Sequence, residues 1–243
     1  MNDGPNYLEL SRRYGFAAKL ESASRLTQLV SRQDADLDEI AKVIDKDPAL
    51  RARLLRVANP EAENEAEYAV ETVEDALMRN GVGCVLVLAM STPLAAALVK
   101  TFQTMLSLKI ETVDPRTAAP LAGEQLVCNI DFTGKVVGHV LLRMSAEAGR
   151  LIAAGILGLP PKEMQDMNEV RDVAGELLNI MTGNFKSNLC DAGLECKLSP
   201  PDVRSMGDFL PPVARAGSVE HMAFHNGNIQ IFVDVTANPW SDD

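Results

Sequence analysis

Large aromatic side chains are scarce in this 243-residue chain, at 5% of its residues, and only one of them is tryptophan. Carbohydrate and nucleobase sites usually depend on such rings, so the composition disfavours both kinds of ligand. Basic side chains are also outnumbered, 23 against 34 acidic ones, for a formal net charge of −11. Non-specific nucleic-acid binding depends on Lys and Arg against phosphate, and we predict no nucleic-acid partner. The local basic trio Arg51, Arg53 and Arg56 is expected on the solvated side of a helix.

Cysteine and histidine are sparse as well. The four cysteines show no C-x-x-C spacing and the N-terminus lacks an apolar export core, so we predict a cytoplasmic protein with reduced thiols. The three histidines are His139, His221 and His225, which excludes a histidine-based metal centre in the first half of the chain. His221 and His225 lie four apart on a predicted strand, about 13 Å from each other. That separation is too large for one metal, and we predict no metal site.

One long run, residues 81–99, carries no charge and approaches the length of a membrane span. Ser91-Thr92-Pro93 lies in its middle, and a hydroxyl residue followed by proline is typical of a helix start. We therefore predict two buried helices that meet at residues 91–93, and no membrane-spanning segment.

Hydrophobic periodicity divides the chain into two regions. Residues 16–80 are predicted to be helical, with Asp47 and Thr72 as helix caps and Gly81 as a stop. Beyond residue 93, two β-hairpins and several helices follow without alternating βαβ units, which predicts an α+β fold with an antiparallel sheet packed with long helices. The domains are predicted at 1–91 and 92–243. Their short junction predicts that they pack closely together.

The predicted helix over residues 168–189 has an unusual polar side. At 100° per residue, its apolar residues cover one broad side, and a narrow polar stripe lies opposite. The members of this stripe are Asp172, Glu176, Asn179, Gly183 and Lys186. Glycine inside a helix costs about 1 kcal/mol relative to alanine. A purely solvated face gives no reason for a glycine there.

Two family resemblances rest on specific motifs. The motif D-P-x-L-x-x-R-L-L-R-x-A-N at residues 47–59, with residues 72–90, resembles the HDOD domain, a helical relative of HD-type phosphohydrolases that lacks the metal ligands. This copy resembles a truncated, non-catalytic module. Residues 94–243 resemble CheX, of the CheC/CheX/FliY family of phosphatases that act on phosphorylated response regulators. The carrying residues are G-E-L-x-N-x-x-x-G-N-x-K at 175–186, L-S-P-P at 198–201 and the two hairpins.

The CheX resemblance implies a role for each stripe residue. It implies that Asn179 places the water that attacks an aspartyl phosphate on a CheY-like receiver domain, while Glu176 docks the receiver's phosphate-contacting lysine. Asp172, Gly183 and Lys186 would contact the partner, with Gly183 admitting its backbone closely. The chain would need no cofactor of its own, because the receiver supplies Mg²⁺. The alternative is a non-enzymatic adaptor that binds a receiver without catalysis.

Relatives of CheX commonly dimerise through strands of their sheet. The alternating run at residues 229–235 has the pattern of such an edge strand. We therefore expect a homodimer that uses this segment.

Overall fold

The computed structural model describes residues 20–30, 32, 34, 36–59, 69–191, 194–209 and 219–239. The helices, in chain order, are α1 (Leu20–Val30), α2 (Leu37–Asp45), α3 (Pro48–Ala58), α4 (Val73–Leu106), α5 (Ala146–Leu157) and α6 (Met167–Asp191). The strands are β1 (Glu111–Val113), β2 (Gln125–Gly134), β3 (Val136–Ser145), β4 (Cys196–Leu198), β5 (Asp202–Ser205), β6 (Val219–Asn226) and β7 (Ile229–Pro239). Short 3₁₀ turns follow α5 and β5, at Pro161–Glu163 and Met206–Asp208.

The starts of three helices follow the capping signals in the sequence. The side chains of Asp47, Thr72 and Ser145 each accept a hydrogen bond from a backbone N–H in the first turn of α3, α4 and α5. Pro48 occupies the first helical position of α3, where no N–H is needed. The predicted caps at Asp47 and Thr72 are thus confirmed.

The described strands form one antiparallel sheet in the order β1-β6-β7-β3-β2-β4, and β5 pairs with β2 beside β4. Both predicted hairpins are present, as β2–β3 and β6–β7. The β6–β7 turn needs a positive φ, which Gly227 supplies at 50°. The predicted α+β class, a helical region followed by an antiparallel sheet with helices, is confirmed.

The prediction that residues 229–235 form an exposed sheet edge is wrong. They lie in β7, which pairs with β6 on one side and with β3 on the other, from Ile231 to Pro239. A strand with two neighbours has no free backbone groups to offer a second copy. The homodimer itself stays a prediction, but this segment does not provide its contact.

The prediction of two helices that meet at residues 91–93 is also wrong. Helix α4 continues through this segment with Pro93 inside it, and its helical geometry is interrupted at Gly81, where φ is 74°. The predicted stop at Gly81 is therefore confirmed, whereas the predicted start at residue 91 is not. The hydroxyls of Ser91 and Thr92 instead donate to the Leu88 carbonyl within the helix.

Helix α4 is the central helix of the core. Its segment Gly83–Leu106 is long and apolar enough to span a membrane, but 72% of its most apolar window is buried inside the protein. It packs against α1, α3 and α6 and also against β6 and β7. Burial in the fold is therefore the simpler explanation of its apolar composition. The predicted domain boundary at residue 91 falls inside this helix, and the boundary stays a prediction.

The basic trio of α3 is not simply a solvated face. Arg53 is almost fully buried, with 1% of its side chain exposed, and it contacts Glu220 of β6, of which 3% is exposed. The Arg53 Nη2–Glu220 Oε1 distance is 3.2 Å, and Arg56 Nη2 reaches the same oxygen at 3.3 Å. Arg53 also donates to the hydroxyls of Ser91 and Thr92. Local periodicity could not reveal this pairing, because the partner lies 167 residues further along the chain.

The two regions share one core. Buried apolar residues from Leu26 of α1 to Ala237 of β7 form a single continuous cluster. Strand β1, which directly follows the helical region, joins the sheet by pairing with β6. The predicted close packing of the two regions is thus confirmed.

All three histidines lie on the sheet face opposite Glu220, since strand neighbours alternate between faces. The His221 Nδ1 is 2.7 Å from the Asp234 Oδ1, and Arg143 Nη2 lies 3.0 Å from the other oxygen of that carboxylate. The hydrogen bond to Asp234 raises the pKa of the His221 imidazole above its ordinary value, against the effect of burial. Burial lowers the pKa of His139, whose Nδ1 is 2.9 Å from the Thr236 hydroxyl.

The described residues contain no group of three or more His, Cys, Asp or Glu arranged to hold a metal.

Removing Glu220 should destabilise the fold strongly. Glu220→Ala removes the carboxylate that the buried Arg53 guanidinium contacts, and removal of one partner of a buried ion pair costs about 3–5 kcal/mol. The double variant Arg53→Met/Glu220→Met removes both charges and should regain most of that loss. Urea unfolding measures both values. A cost below about 1 kcal/mol for Glu220→Ala would contradict the expected dependence of the buried Arg53 guanidinium on the Glu220 carboxylate.

The His221–Asp234 pair should make stability depend on pH. Because the folded state raises this pKa above the unfolded value near 6.5, the pair contributes fully below about pH 6.5 and its contribution is lost as the pH rises through the folded pKa. His221→Gln should therefore lower Tm at pH 5.5 more than at pH 8.5. The matched control is His225→Gln, an exposed histidine on the same strand. An equal effect of His221→Gln at both pH values would contradict this expectation.

Candidate functional site

Helix α6 carries the predicted site, and its apolar side fixes it to the rest of the fold. The predicted helix over residues 168–189 is confirmed within the observed bounds. The side chains that pack into the core are Val170, Ala174, Leu177, Leu178, Met181, Phe185 and Leu189. Phe185 meets Phe132 of β2 edge to face, with ring centroids 5.6 Å apart. A long helix held by seven buried side chains is a rigid platform for the groups on its other side.

The start of α6 is defined by Asp166. Its side chain accepts a hydrogen bond from the Asn168 N–H at 2.8 Å, and its carbonyl accepts from the Val170 N–H. A carboxylate at this position accepts a hydrogen bond from an N–H group that has no partner within the helix, and its negative charge interacts favourably with the positive end of the helix dipole.

All five predicted stripe residues lie on the side of α6 away from the core. Asp172, Glu176 and Asn179 are exposed, whereas Gly183 and Lys186 are half-buried. A Cβ built at Gly183 meets no atom within 4 Å in the part of the chain that the structure describes. The space above this glycine is therefore open along the helix surface.

Glu176 and Asn179 contact each other directly. The Asn179 Nδ2 donates to the Glu176 Oε2 at 3.4 Å, a long hydrogen bond between two exposed side chains. The amide keeps a second N–H and its Oδ1 for another partner, and the carboxylate keeps Oε1. The pair thus offers one acidic acceptor and one neutral group that both donates and accepts. Such a pair can bind a cation and orient a water molecule without a metal.

The motif L-S-P-P is close to the stripe in space as well as in sequence. A Cβ built on Gly175 would lie 3.5 Å from the Pro201 Cγ and 3.3 Å from the Val203 Cγ2 of β5. Sequence reasoning used Gly175 and this motif only as marks of resemblance and missed their contact. A signal for it was present, because a buried glycine on a helix often marks a close approach of another segment.

Two of the four cysteines are excluded as reactive groups. All four are free, and Cys84, Cys128 and Cys196 are buried. Burial raises the pKa of the Cys84 and Cys128 thiols to about 12, so neither forms a thiolate at neutral pH. These two are structural side chains.

Comparisons with known proteins bear on the fold. Residues 126–221 match the family model described as chemotaxis phosphatase CheX, and residues 19–113 match the HDOD domain. The HDOD match includes the whole of α4 and β1 and so extends beyond residue 91. No curated relative is similar enough in sequence to be matched.

Several solved structures share the fold of the second region. The chemotaxis protein CheX from Vibrio vulnificus is 23% identical, with a TM-score of 0.52, and the match covers 61% of this chain and 99% of that one. A CheC-like superfamily protein from Shewanella sp. PV-4 is 21% identical, with a TM-score of 0.52, over 61% and 97% of the two chains. The CheX of a CheX–CheY–BeF₃–Mg²⁺ complex from Borrelia burgdorferi is 18% identical, with a TM-score of 0.51, over 61% and 97%.

At these identities the likeness establishes the fold. Both resemblances noted in the sequence are confirmed by the family matches, and Glu176 and Asn179 lie within the CheX-matching residues. The chain therefore joins an HDOD-like domain to a domain of the CheX type.

Proposed function

We propose that this protein is a CheX-like phosphatase that removes phosphate from the aspartyl phosphate of a CheY-like response regulator. Asn179 places the attacking water, and Glu176 binds the receiver lysine that contacts the phosphoryl group. The observation that carries this proposal is the exposed Glu176–Asn179 pair, joined at 3.4 Å on a helix of the CheX-matching region. The Borrelia burgdorferi relative, solved as a CheX–CheY–BeF₃–Mg²⁺ complex, supports a CheY-like partner.

In this reaction the phosphatase forms no covalent bond to the phosphoryl group. Water attacks phosphorus in line, the bond from phosphorus to the aspartyl oxygen breaks, and the products are phosphate and the free carboxylate. Positioning of the water and neutralisation of charge account for most of the acceleration. The Asn179 amide suits this task because it both donates and accepts hydrogen bonds at any physiological pH.

The remaining stripe residues would complete the partner contact. Asp172 extends the acidic edge one turn before Glu176, and Lys186 supplies a positive charge at the other end of the stripe. The open space above Gly183 would admit the partner's backbone. Mg²⁺ would be brought by the receiver, where it neutralises phosphoryl oxygens, and this chain would contribute no cofactor.

Loss of phosphate from phosphorylated receivers tests the proposal. The native protein should accelerate it, and Asn179→Ala should reduce that acceleration on the order of 100-fold while binding of the receiver stays within about two-fold of the native value. Glu176→Ala should weaken binding on the order of ten-fold and lower the rate as well, because it removes a charge-paired contact.

The matched control is Asn184→Ala. Asn184 is an exposed asparagine on the same helix, and five residues at 100° place it about 140° around the axis from Asn179. This variant should keep native activity. Full activity in Asn179→Ala would show that the amide does not place the water. Receiver binding by the native protein without acceleration would identify a non-enzymatic adaptor.

A further inference from the structure

Gly175 holds a second segment of the chain against the stripe. An added Cβ at this buried residue would lie 3.3 Å from the Val203 Cγ2, which is closer than ordinary contact, and 3.5 Å from the Pro201 Cγ, which is an ordinary contact. The glycine therefore gives Val203 room against the helix, with Pro201 packed beside it. One turn earlier, Arg171 Nη2 donates to the Ser205 hydroxyl at 3.5 Å. Strand β5 and the turn before it therefore run along one side of α6.

That side borders the catalytic pair. Residue 175 is four positions before Asn179 and three after Asp172, and residues at these spacings are neighbours on a helix surface, with Cβ atoms about 5–6 Å apart. The turn Ser199–Pro201, here called the proline rim, consequently lies next to the stripe. The stripe is bounded by this rim near Gly175 and is open at Gly183.

The proline rim is rigid. The Ser199 N–H donates to the Asp131 carbonyl at 2.9 Å, and the Asp131 N–H donates to the Ser199 hydroxyl oxygen at 3.0 Å. The Ser199 hydroxyl in turn donates to the Pro200 carbonyl at 2.9 Å. Two consecutive prolines fix φ at both positions. Pro200 is exposed and Pro201 is half-buried, so the rim presents an uncharged, preorganised edge to solvent.

We propose that the proline rim is a second contact surface for the receiver domain, and that Gly175 is the positioning residue that sets its distance from Asn179. This inference rests on the proposed function and deepens it. The occupant is the protein surface beside the receiver's phosphorylated aspartate. A rigid edge on one side of the stripe fixes how far that surface slides across α6, and hence where phosphorus stands relative to the Asn179 amide.

The first test places a charged side chain at the exposed rim. Pro200→Glu should weaken binding of a receiver activated with beryllium fluoride and Mg²⁺ on the order of ten-fold, as expected for a well-packed interface position. The matched control is Thr133→Glu, which adds the same charge at an exposed site on the opposite sheet face. The control should bind like the native protein. Tm is measured for both variants, because loss of the Pro200 ring also removes one restraint on the turn.

The second test changes the spacing. Gly175→Ala forces the side chain of Val203, two residues after the rim, to move by a few tenths of an ångström. A shift of β5 that carries the rim with it should lower kcat on the order of ten-fold while KM changes little. Val203→Ala removes the atom nearest to the new methyl group, so Gly175→Ala/Val203→Ala should recover most of kcat. A merely structural role would lower Tm and leave kcat per folded molecule unchanged.

The outcomes separate this inference from the function on which it rests. If the native protein dephosphorylates the receiver and Pro200→Glu binds it more weakly, the rim is a contact surface. If the native protein dephosphorylates the receiver and Pro200→Glu binds it equally well, the rim is not a contact surface, whether or not Gly175→Ala folds. The proposed phosphatase function is unaffected by that second outcome. A native protein that neither binds nor dephosphorylates any receiver overturns both.

Discussion

One continuous apolar core, with the buried Arg53–Glu220 ion pair inside it, is the constraint on which the joined fold depends. The ion pair connects α3 of the HDOD-like region to β6 of the sheet. Arg53 also donates hydrogen bonds to the Ser91 and Thr92 hydroxyls of α4. Burial lowers the pKa of Arg53, and Glu220 opposes that shift. Separating the two regions would expose this ion pair to water together with the apolar surface around it. The HDOD-like and CheX-type regions consequently form one body with one core.

Helix α6 presents the polar stripe on the surface of the protein. Its buried side chains fix its rotation about its own axis, so the Glu176–Asn179 pair cannot turn away from the surface without loss of core packing. The glycine at 175 gives Val203 of β5 room on one side, beside the proline rim, and no atom of the described residues lies within 4 Å of a Cβ built at Gly183. The stripe is thus a shaped surface.

Local sequence signals were sufficient for features with local causes. Capping by Asp47 and Thr72, the two hairpins and the position of the stripe on α6 depend on neighbours a few residues apart, and the sequence predicts all of them. The failures have distant causes. Ser91 and Thr92 look like a helix start, but tertiary packing and the Arg53 side chain keep them inside a continuous helix. Alternation over residues 229–235 indicates a strand, yet it carries no information on whether that strand has one neighbour or two.

An NMR titration that follows the side-chain amide of Asn179 tests most directly whether α6 binds the receiver domain. A receiver activated with beryllium fluoride and Mg²⁺ presents a phosphoryl-like group without turnover. The Asn179 amide resonances should shift on its addition and stay unchanged with the unactivated receiver, while those of Asn184 should move little in either case. Unchanged Asn179 resonances, with shifts confined to α1–α3 or to the sheet face that carries the histidines, would contradict a receiver-binding role for α6.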